Sequence, residues 1–285
     1  MAWSTLDRAC TNIQDCNAGI SMKNALFRGR WPGDAISGGV CVLLDSFLPY
    51  TIDIARPPLK KVHGMTEARS LPRTIVYVDG FNLYFGLREA KLQKCMWLNI
   101  HELSRHLCGA NRRLVNTKYF TSRVSGAPKG ASPATIKSAE AKRKRQTEFL
   151  EVLATIPDLE ITYGHFLAKD AGCHDCGAVW TKFEEKMTDV NIATAMMTDA
   201  FQDKFDAAIL VSADSDLVPP VRAILKLFPE KRVYVAFPPE RKSTELKNLA
   251  SEKIEIFKTS QINSQLPNQV TLPSGRIVVR PADWS

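Results

Sequence analysis

From Pro72 onward the sequence alternates short, uncharged, β-branched runs with stretches of helical periodicity, and two of those runs end directly in aspartate. Thr74–Val78 (TIVYV) reads as a buried strand that runs into Asp79-Gly80-Phe81-Asn82, with a helical stretch after it. Ala207–Ser212 (AAILVS) reads as a second buried strand. It runs into Ala213-Asp214-Ser215-Asp216, with helix over Leu217–Phe228. Between and after these lie a helix at Ile100–Leu107, a strand at Leu114–Thr121, a strand at Leu159–Leu167 and an amphipathic helix at Thr188–Phe201. A long helix starts at Ser132-Pro133, an N-cap followed by proline at the first helical position, and runs to about Ile156. Arg232–Phe237 reads as strand, Leu246–Glu252 as helix and Ile254–Lys258 as the last strand. Strands alternating with helices predict an α/β fold, Rossmann-like, with a mainly parallel sheet and helices on both faces.

Three segments follow from this pattern. Residues 1–70 lack sustained periodicity and carry RGRWPGD and ARPPLKK, Pro, Gly and Arg punctuation with no strands between. They are expected to be a disordered extension, or the product of an over-long start, with Met65 as a second candidate start. Residues 73–260 form the folded domain. Residues 261–285 read as a polar tail with one β-like patch (RIVVR, 276–280), to which no role is assigned.

In an open parallel sheet, ligands bind beyond the carboxyl ends of the strands. Asp79 and the pair Asp214 and Asp216 should therefore share one rim, and Asp189 begins the Thr188 helix near a charged stretch containing Glu184, Glu185 and Lys186. Carboxylates brought together repel one another, and a divalent cation resolves that conflict. Hard oxygen ligands suit Mg²⁺ or Mn²⁺ better than zinc. Such an ion activates water and stabilises the charge that develops on a phosphodiester. Each aspartate also has a structural reading: Asp189 complements the helix dipole, Asp214 or Asp216 caps a helix, and Asp79-Gly80 makes a turn.

Three blocks, VDGFNLYFG at 78–86, EKMTDVNIATAMMTDAF at 185–201 and FDAAILVSADSDLVPPV at 205–221, resemble the signature blocks of the NYN domain family, in its order and spacing. These are PIN-like ribonuclease domains related to the LabA/DUF88 proteins. The resemblance covers roughly residues 73–258 and implies a sheet with an acidic metal site that cleaves RNA. By position it assigns metal binding and catalysis to Asp79, Asp189, Asp214 and Asp216, and contact with the phosphate or its water to Asn82 and Ser212. Ala213 stands where the family commonly has glycine. Met187-Thr188 replaces a lead-in that usually carries glycine, which bears on the approach to Asp189. The family also contains members without demonstrated cleavage. The competing reading is therefore a non-cleaving RNA- or protein-binding regulatory module on the same fold. A Rossmann-like phosphatase is disfavoured, because Asp79 is followed by Gly80-Phe81 rather than by a second aspartate two positions on.

The formal net charge of +8 favours a polyanionic partner such as RNA. Lys142-Arg143-Lys144-Arg145, in the middle of the long helix, is the candidate backbone-binding run, weighed evenly against a solvated helix face. Phe81, Tyr84 and Phe85 follow Asp79 at helical spacing and read as core rather than as base platforms. Cys173-His174-Asp175-Cys176 supplies two of the four ligands a structural zinc needs, so free thiols are favoured over a zinc knuckle. Seven cysteines without a paired framework, and no apolar block near the N-terminus, make a cytoplasmic protein with reduced thiols the expectation. No run approaches the roughly 18 apolar residues that a membrane span requires, so no membrane partner is expected. The oligomeric state has no signature in the sequence.

Overall fold

The computed structural model describes residues 70–284, apart from 129, 173–176, 178 and 257–262. The expected N-terminal extension and the Cys173–Cys176 motif lie outside the described residues. The chain runs β1 (Arg73–Asp79), α1 (Gly80–Glu89), α2 (Ile100–Cys108), β2 (Arg113–Ser122), α3 (Pro133–Leu153), β3 (Leu159–Gly172) and β4 (Val179–Lys186). It continues through α4 (Thr188–Phe201), β5 (Ala207–Val211), α5 (Val218–Leu227), β6 (Arg232–Phe237), α6 (Thr244–Leu249), β7 (Glu252–Glu255), β8 (Gln269–Thr271) and β9 (Ile277–Val279).

Seven strands form one sheet in the order β4-β3-β2-β1-β5-β6-β7. All neighbours are parallel except β3 and β4, which pair antiparallel. From β1 the chain builds outward through β2 to β3 and then, after β4 and α4, returns to the other side of β1 with β5. The strand order therefore reverses between β1 and β5, which is where doubly wound sheets open a crevice at their carboxyl ends.

Residues 75–78 of β1 are buried on both faces, and their period of two divides them between two cores. Val76 and Val78 pack with Leu83 and Leu87 of α1, Ile100 and Leu103 of α2, and Phe149 and Leu153 of α3. Ile75 and Tyr77 pack with Ile192 and Met196 of α4, Val221 and Ile224 of α5, and Leu246 of α6. This three-layer arrangement is the α/β fold expected from the alternating pattern. The long helix also begins as expected, with Ser132 Oγ accepting from Thr135 N at 3.2 Å and proline in the first turn.

Two features depart from the pattern read in the sequence. The first is β4, which pairs with a β3 five residues longer than expected. Its sequence, VWTKFEEK, is charged, and a solvent-facing edge strand carries no apolar run to announce it. A cross-strand ion pair supports it instead: Lys169 on β3 reaches Glu184 at 3.1 Å, and Lys186, two residues along β4 itself, reaches it at the same distance. The second is the segment set apart as a tail. Leu266, Leu272, Val278 and Trp284 all join the core on the α1–α3 side. Trp97 Nε1 donates to the Pro267 carbonyl at 2.8 Å, and Arg145 pairs with Asp283 at 2.8 Å. The β-like patch is β9, the second arm of an antiparallel hairpin with β8. Among the described residues, no helix is long and apolar enough to cross a membrane.

α4 is fixed to the sheet by a buried charge. Asp199, 1% exposed, accepts from Tyr77 Oη at 2.8 Å and Lys118 Nζ at 2.6 Å, and pairs with Lys204 at 3.2 Å. Burial pushes its carboxyl upward, but the hydrogen bonds from Lys118 and Tyr77 outweigh that and hold it below the usual value of 3.8. A lowered folded-state value means stability that is present above about pH 4 and is lost as pH falls below it. Asp199→Ala leaves Lys118 with less compensation, and should cost about 3–5 kcal/mol in urea unfolding at pH 7. The gap between this variant and wild type should narrow below about pH 4. A variant as stable as wild type at pH 7 would contradict this account of how α4 is anchored.

Candidate functional site

The sheet register brings the ends of β1 and β5 together. Val78 pairs with Val211, so Asp79 and Ser212 follow as neighbours on adjacent strands. Ser212 is fully buried, and its hydroxyl donates to Asp79 Oδ2 at 3.0 Å while accepting from Asp214 N at 3.1 Å. Asp79, 4% exposed, also caps α1 by accepting from Asn82 N at 2.9 Å. Asn82 Oδ1 accepts from Ala213 N at 3.1 Å, tying the first turn of α1 to the β5 loop. Asp214 Oδ1 accepts from Asp216 N at 3.0 Å and so caps the short 3-10 turn that leads into α5. The capping roles and the gathering of carboxylates thus coexist in the same residues.

Two close approaches make this geometry depend on glycine. A Cβ on Gly80 would lie 2.6 Å from the Tyr119 ring and 2.7 Å from the Phe120 carbonyl, so α1 can start this close to β2 only with glycine there. A Cβ on Gly164 would lie 2.5 Å from the Lys186 carbonyl, 2.6 Å from Ser122 Oγ and 2.8 Å from Glu185 Oε1. Glu185 in turn accepts from Ser122 Oγ at 2.7 Å and from the hydroxyl of Thr188. Thr188 is buried and is the first residue of α4, so this contact places the start of α4, and with it Asp189, at the rim.

These acids act on one another electrostatically. Burial pushes the Asp79 carboxyl up to about 6, against the lowering hydrogen bonds from Asn82 and Ser212; the charges of Asp214 and Glu185 add to the rise. Asp189 is pushed up to about 7, first by burial and then by Asp214, Asp79, Glu185 and Asp216. Each of the four aspartates singled out in the sequence therefore acts on Asp189 or is Asp189 itself. Glu185 is a fifth member that sequence reasoning does not find. It lies on β4, and without that strand its charged segment has no place relative to the sheet.

The donor set is oxygen only, which fits a hard divalent cation. Each oxygen of Asp79 accepts one hydrogen bond, so lone pairs remain on both. Among the described residues, no group of three or more His, Cys, Asp or Glu side chains is placed so that it could hold a metal ion as it stands.

The basic run on α3 divides. Arg145 is held by Asp283, and Lys144 lies 3.9 Å from Glu148 one turn on. Lys142 and Arg143 are exposed and make no ion pair among the described residues. The aromatic residues after Asp79 also differ from expectation. Tyr84 packs against the α1–α3 core, but Phe81 and Phe85 belong to neither core cluster. They stack on each other with centroids 6.2 Å apart, and Phe166 meets Phe81 edge-on at 5.7 Å.

Met187, which stands where the resemblance expects a glycine-bearing lead-in, has φ of 77° and is half exposed. The left-handed backbone explains the usual glycine: a side chain there is strained. Met187→Gly should stabilise the protein by up to about 1 kcal/mol, the strain relief being partly offset by the added freedom of the unfolded chain. Chemical denaturation measures it, and a clear destabilisation would contradict the strain.

A carboxyl whose folded-state value is raised binds its proton more tightly in the folded protein. Asp189 therefore lowers metal-free stability as pH rises from about 4 to about 7, and the loss persists above that. Asp189→Asn removes the repulsion. In EDTA at pH 8 it should be more stable than wild type by about 1–2 kcal/mol, a figure discounted for the residue's partial exposure. The difference should vanish near pH 4. A destabilised Asn variant at pH 8 would contradict the clustering of like charges.

Among the comparisons with known proteins, the family match agrees with the resemblance. The profile of the NYN domain matches residues 73–257. A curated protein from Pseudomonas putida (strain DSM 28022 / S16), named 6-hydroxy-3-succinoylpyridine 3-monooxygenase HspA, is 25% identical over 240 residues, covering 74% of this chain and 75% of its own. A crystal structure of a protein of unknown function from Vibrio parahaemolyticus RIMD 2210633 superposes with a TM-score of 0.43 at 20% identity, over 67% of this chain and 97% of that one. NYN domains are PIN-like nuclease domains, so the match suggests a nuclease-like function and RNA as the ligand. With that match spanning more than half of its length, and with the sheet and the three blocks in place, the chain belongs to the NYN domain family.

Proposed function

We propose that this protein is a divalent-metal-dependent endoribonuclease that hydrolyses RNA phosphodiester bonds at the Asp79–Asp189–Asp214–Asp216 cluster. The observation that supports it most is the placement of Asp79. A nearly buried carboxylate stands at the switch point of the sheet, fixed by Ser212 and Asn82, with its charge opposed by Asp214 and Glu185. Burying like charges beside one another disfavours the ionised state, and a structure keeps such an arrangement where a cation offsets it.

Asp79, Asp189 and Asp214 would hold Mg²⁺ or Mn²⁺, with Asp216 completing the site directly or through water. The ion supplies Lewis acidity toward a phosphoryl oxygen and lowers the pKa of a bound water. The protein's own groups do the positioning. Ser212 is closed off from solvent and orients Asp79 and Asp214 from behind. Asn82 spends its carbonyl oxygen on Ala213 N, and its Nδ2 has no hydrogen-bond partner among the described residues. That amide would donate to a phosphate oxygen. Glu185, fixed by Ser122 and Thr188, adds negative charge behind Asp189 and strengthens cation binding. Lys142 and Arg143 would follow the RNA backbone and release counterions as it binds. The monooxygenase name of the Pseudomonas relative belongs to that protein, and nothing in this acidic site calls for it.

The test is incubation of the protein with single-stranded RNA and Mn²⁺ or Mg²⁺. Cleavage should require the metal and stop with EDTA. Asp214→Asn should lower kcat by at least about 100-fold, the scale of losing one transition-state electrostatic contact. Ser212→Ala should lower it less, since it loosens Asp79 without removing a carboxylate. Cleavage that survives EDTA or Asp214→Asn contradicts the mechanism. Tight RNA binding without cleavage in either metal would favour the non-cleaving regulatory module.

A further inference from the structure

Beside the acidic cluster lies a second feature that the reading above does not use. A cavity of about 250 Å³, with Gly80, one residue from Asp79, in its lining, lies between α1, α3 and the end of β2. Phe81, Phe85 and Phe166 form one aromatic wall, and Phe149 with Trp284 the other. The volume is below that of a drug-sized pocket and suits one planar ring system. Phe81 and Phe85 stand outside both cores; Phe85 is 38% exposed, with Tyr84 edge-on at 5.3 Å and the Arg241 guanidinium 5.7 Å from its ring.

The rim is cationic. Lys142 lines the cavity and, like Arg88 on α1, is exposed and makes no ion pair among the described residues. The polar groups inside are already paired: Arg145 with Asp283 at 2.8 Å, and Tyr119 with Thr121 by a hydrogen bond between their side chains. Gln146 accepts from Val124 N at 2.7 Å and donates to the Ser122 carbonyl at 2.8 Å. An aromatic slot with a positive rim and no spare polar group for reading a base edge suits a ring carried on an anionic backbone, held by stacking.

We propose that this cavity receives one unpaired base of the RNA strand whose phosphodiester lies at the acidic cluster, with Lys142 and Arg88 against the flanking phosphates. The placement of the phosphodiester rests on the ribonuclease reading; the cavity's affinity for a base does not. Stacking without edge recognition makes the site a selector for single strands over duplexes, with weak discrimination among bases. The sequence gives no direct sign of it, because Phe81 and Phe85 share the helical spacing of core residues, and Phe166 and Trp284 arrive from distant segments.

The test uses the full-length protein and two readouts. In EDTA, tryptophan emission is titrated with single-stranded oligoadenylate, with an abasic oligonucleotide of the same length, and with benzoate as a free aromatic anion. In Mn²⁺, KM and kcat are measured on single-stranded and duplex RNA for wild type and for Phe81→Leu, which keeps an apolar side chain and removes the ring. Circular dichroism checks that the variant is folded. Oligoadenylate should change the emission more than the abasic strand does, and Trp284→Phe should abolish that difference. Phe81→Leu should raise KM for single strands roughly fivefold to hundredfold, with kcat within about threefold of wild type. Duplex should be the poorer substrate. Equal responses to oligoadenylate and the abasic strand, benzoate displacing oligoadenylate, or an unchanged KM in Phe81→Leu would each overturn the base site while leaving metal-dependent cleavage standing. A base-dependent signal at Trp284 with no cleavage in any metal would support the cavity and overturn the ribonuclease reading.

Discussion

The hydroxyl of Ser212 sits at the one point in the fold where the two halves of the sheet diverge, and the rest of the site depends on what it bonds. It donates to Asp79 at the end of β1 and accepts from the backbone of Asp214 at the end of β5. Asp79 is at the same time the cap of α1. One hydrogen-bonded chain, running from Asp214 N through Ser212 to Asp79 and on to Asn82, therefore joins two strands, a helix start and a loop. Ser212, Asp79 and Asn82 are buried, and a low local dielectric raises both the strength of their bonds and the cost of losing one. The parallel register of β1 and β5 is what makes the chain of contacts possible, and the two apolar cores on either face are what hold that register.

Against that order stands a local repulsion. Asp79 and Asp189 are both raised by burial and by neighbouring carboxylates, so the site works against the stability of the metal-free fold. Contacts elsewhere offset it. The Asp199 cluster anchors the far end of α4, and the Glu185–Ser122–Thr188 contacts fix the near end, so Asp189 stays at the rim despite the charge facing it. The strained backbone at Met187 belongs to the same region. Local strain and like-charge crowding concentrated in one place, with an ordinary well-packed core around it, is the pattern expected of a functional site.

The parts legible in the sequence are those that burial on both faces dictates. TIVYV and AAILVS announce central strands because each side must be apolar, and Ser132-Pro133 announces a helix start because both residues act locally. Asp79 and Asp214 could be placed on one rim from topology alone. What stayed hidden depends on partners far along the chain. β4 is a charged edge strand recognisable only through its pairing with β3, and Glu185 is hidden with it. The segment after Ser264 reads as polar because its core contacts, Leu266, Leu272, Val278 and Trp284, are spaced too widely to show a period. The basic run looks uniform in sequence, yet Arg145 is committed to Asp283, a partner 138 positions away, while Lys142 is left for the cavity rim.

Mn²⁺ binding followed by electron paramagnetic resonance tests, without requiring a substrate, whether the gathered carboxylates act together as one cation site. Wild type should bind Mn²⁺ saturably, and Asp79→Asn and Asp214→Asn, both folded, should each weaken that binding at least about tenfold. Ser212→Ala should bring a milder loss, since the ligands remain but their bracing is gone. Binding that is unchanged in both aspartate variants, or no binding to the folded wild-type protein at millimolar Mn²⁺, would contradict a shared cation site.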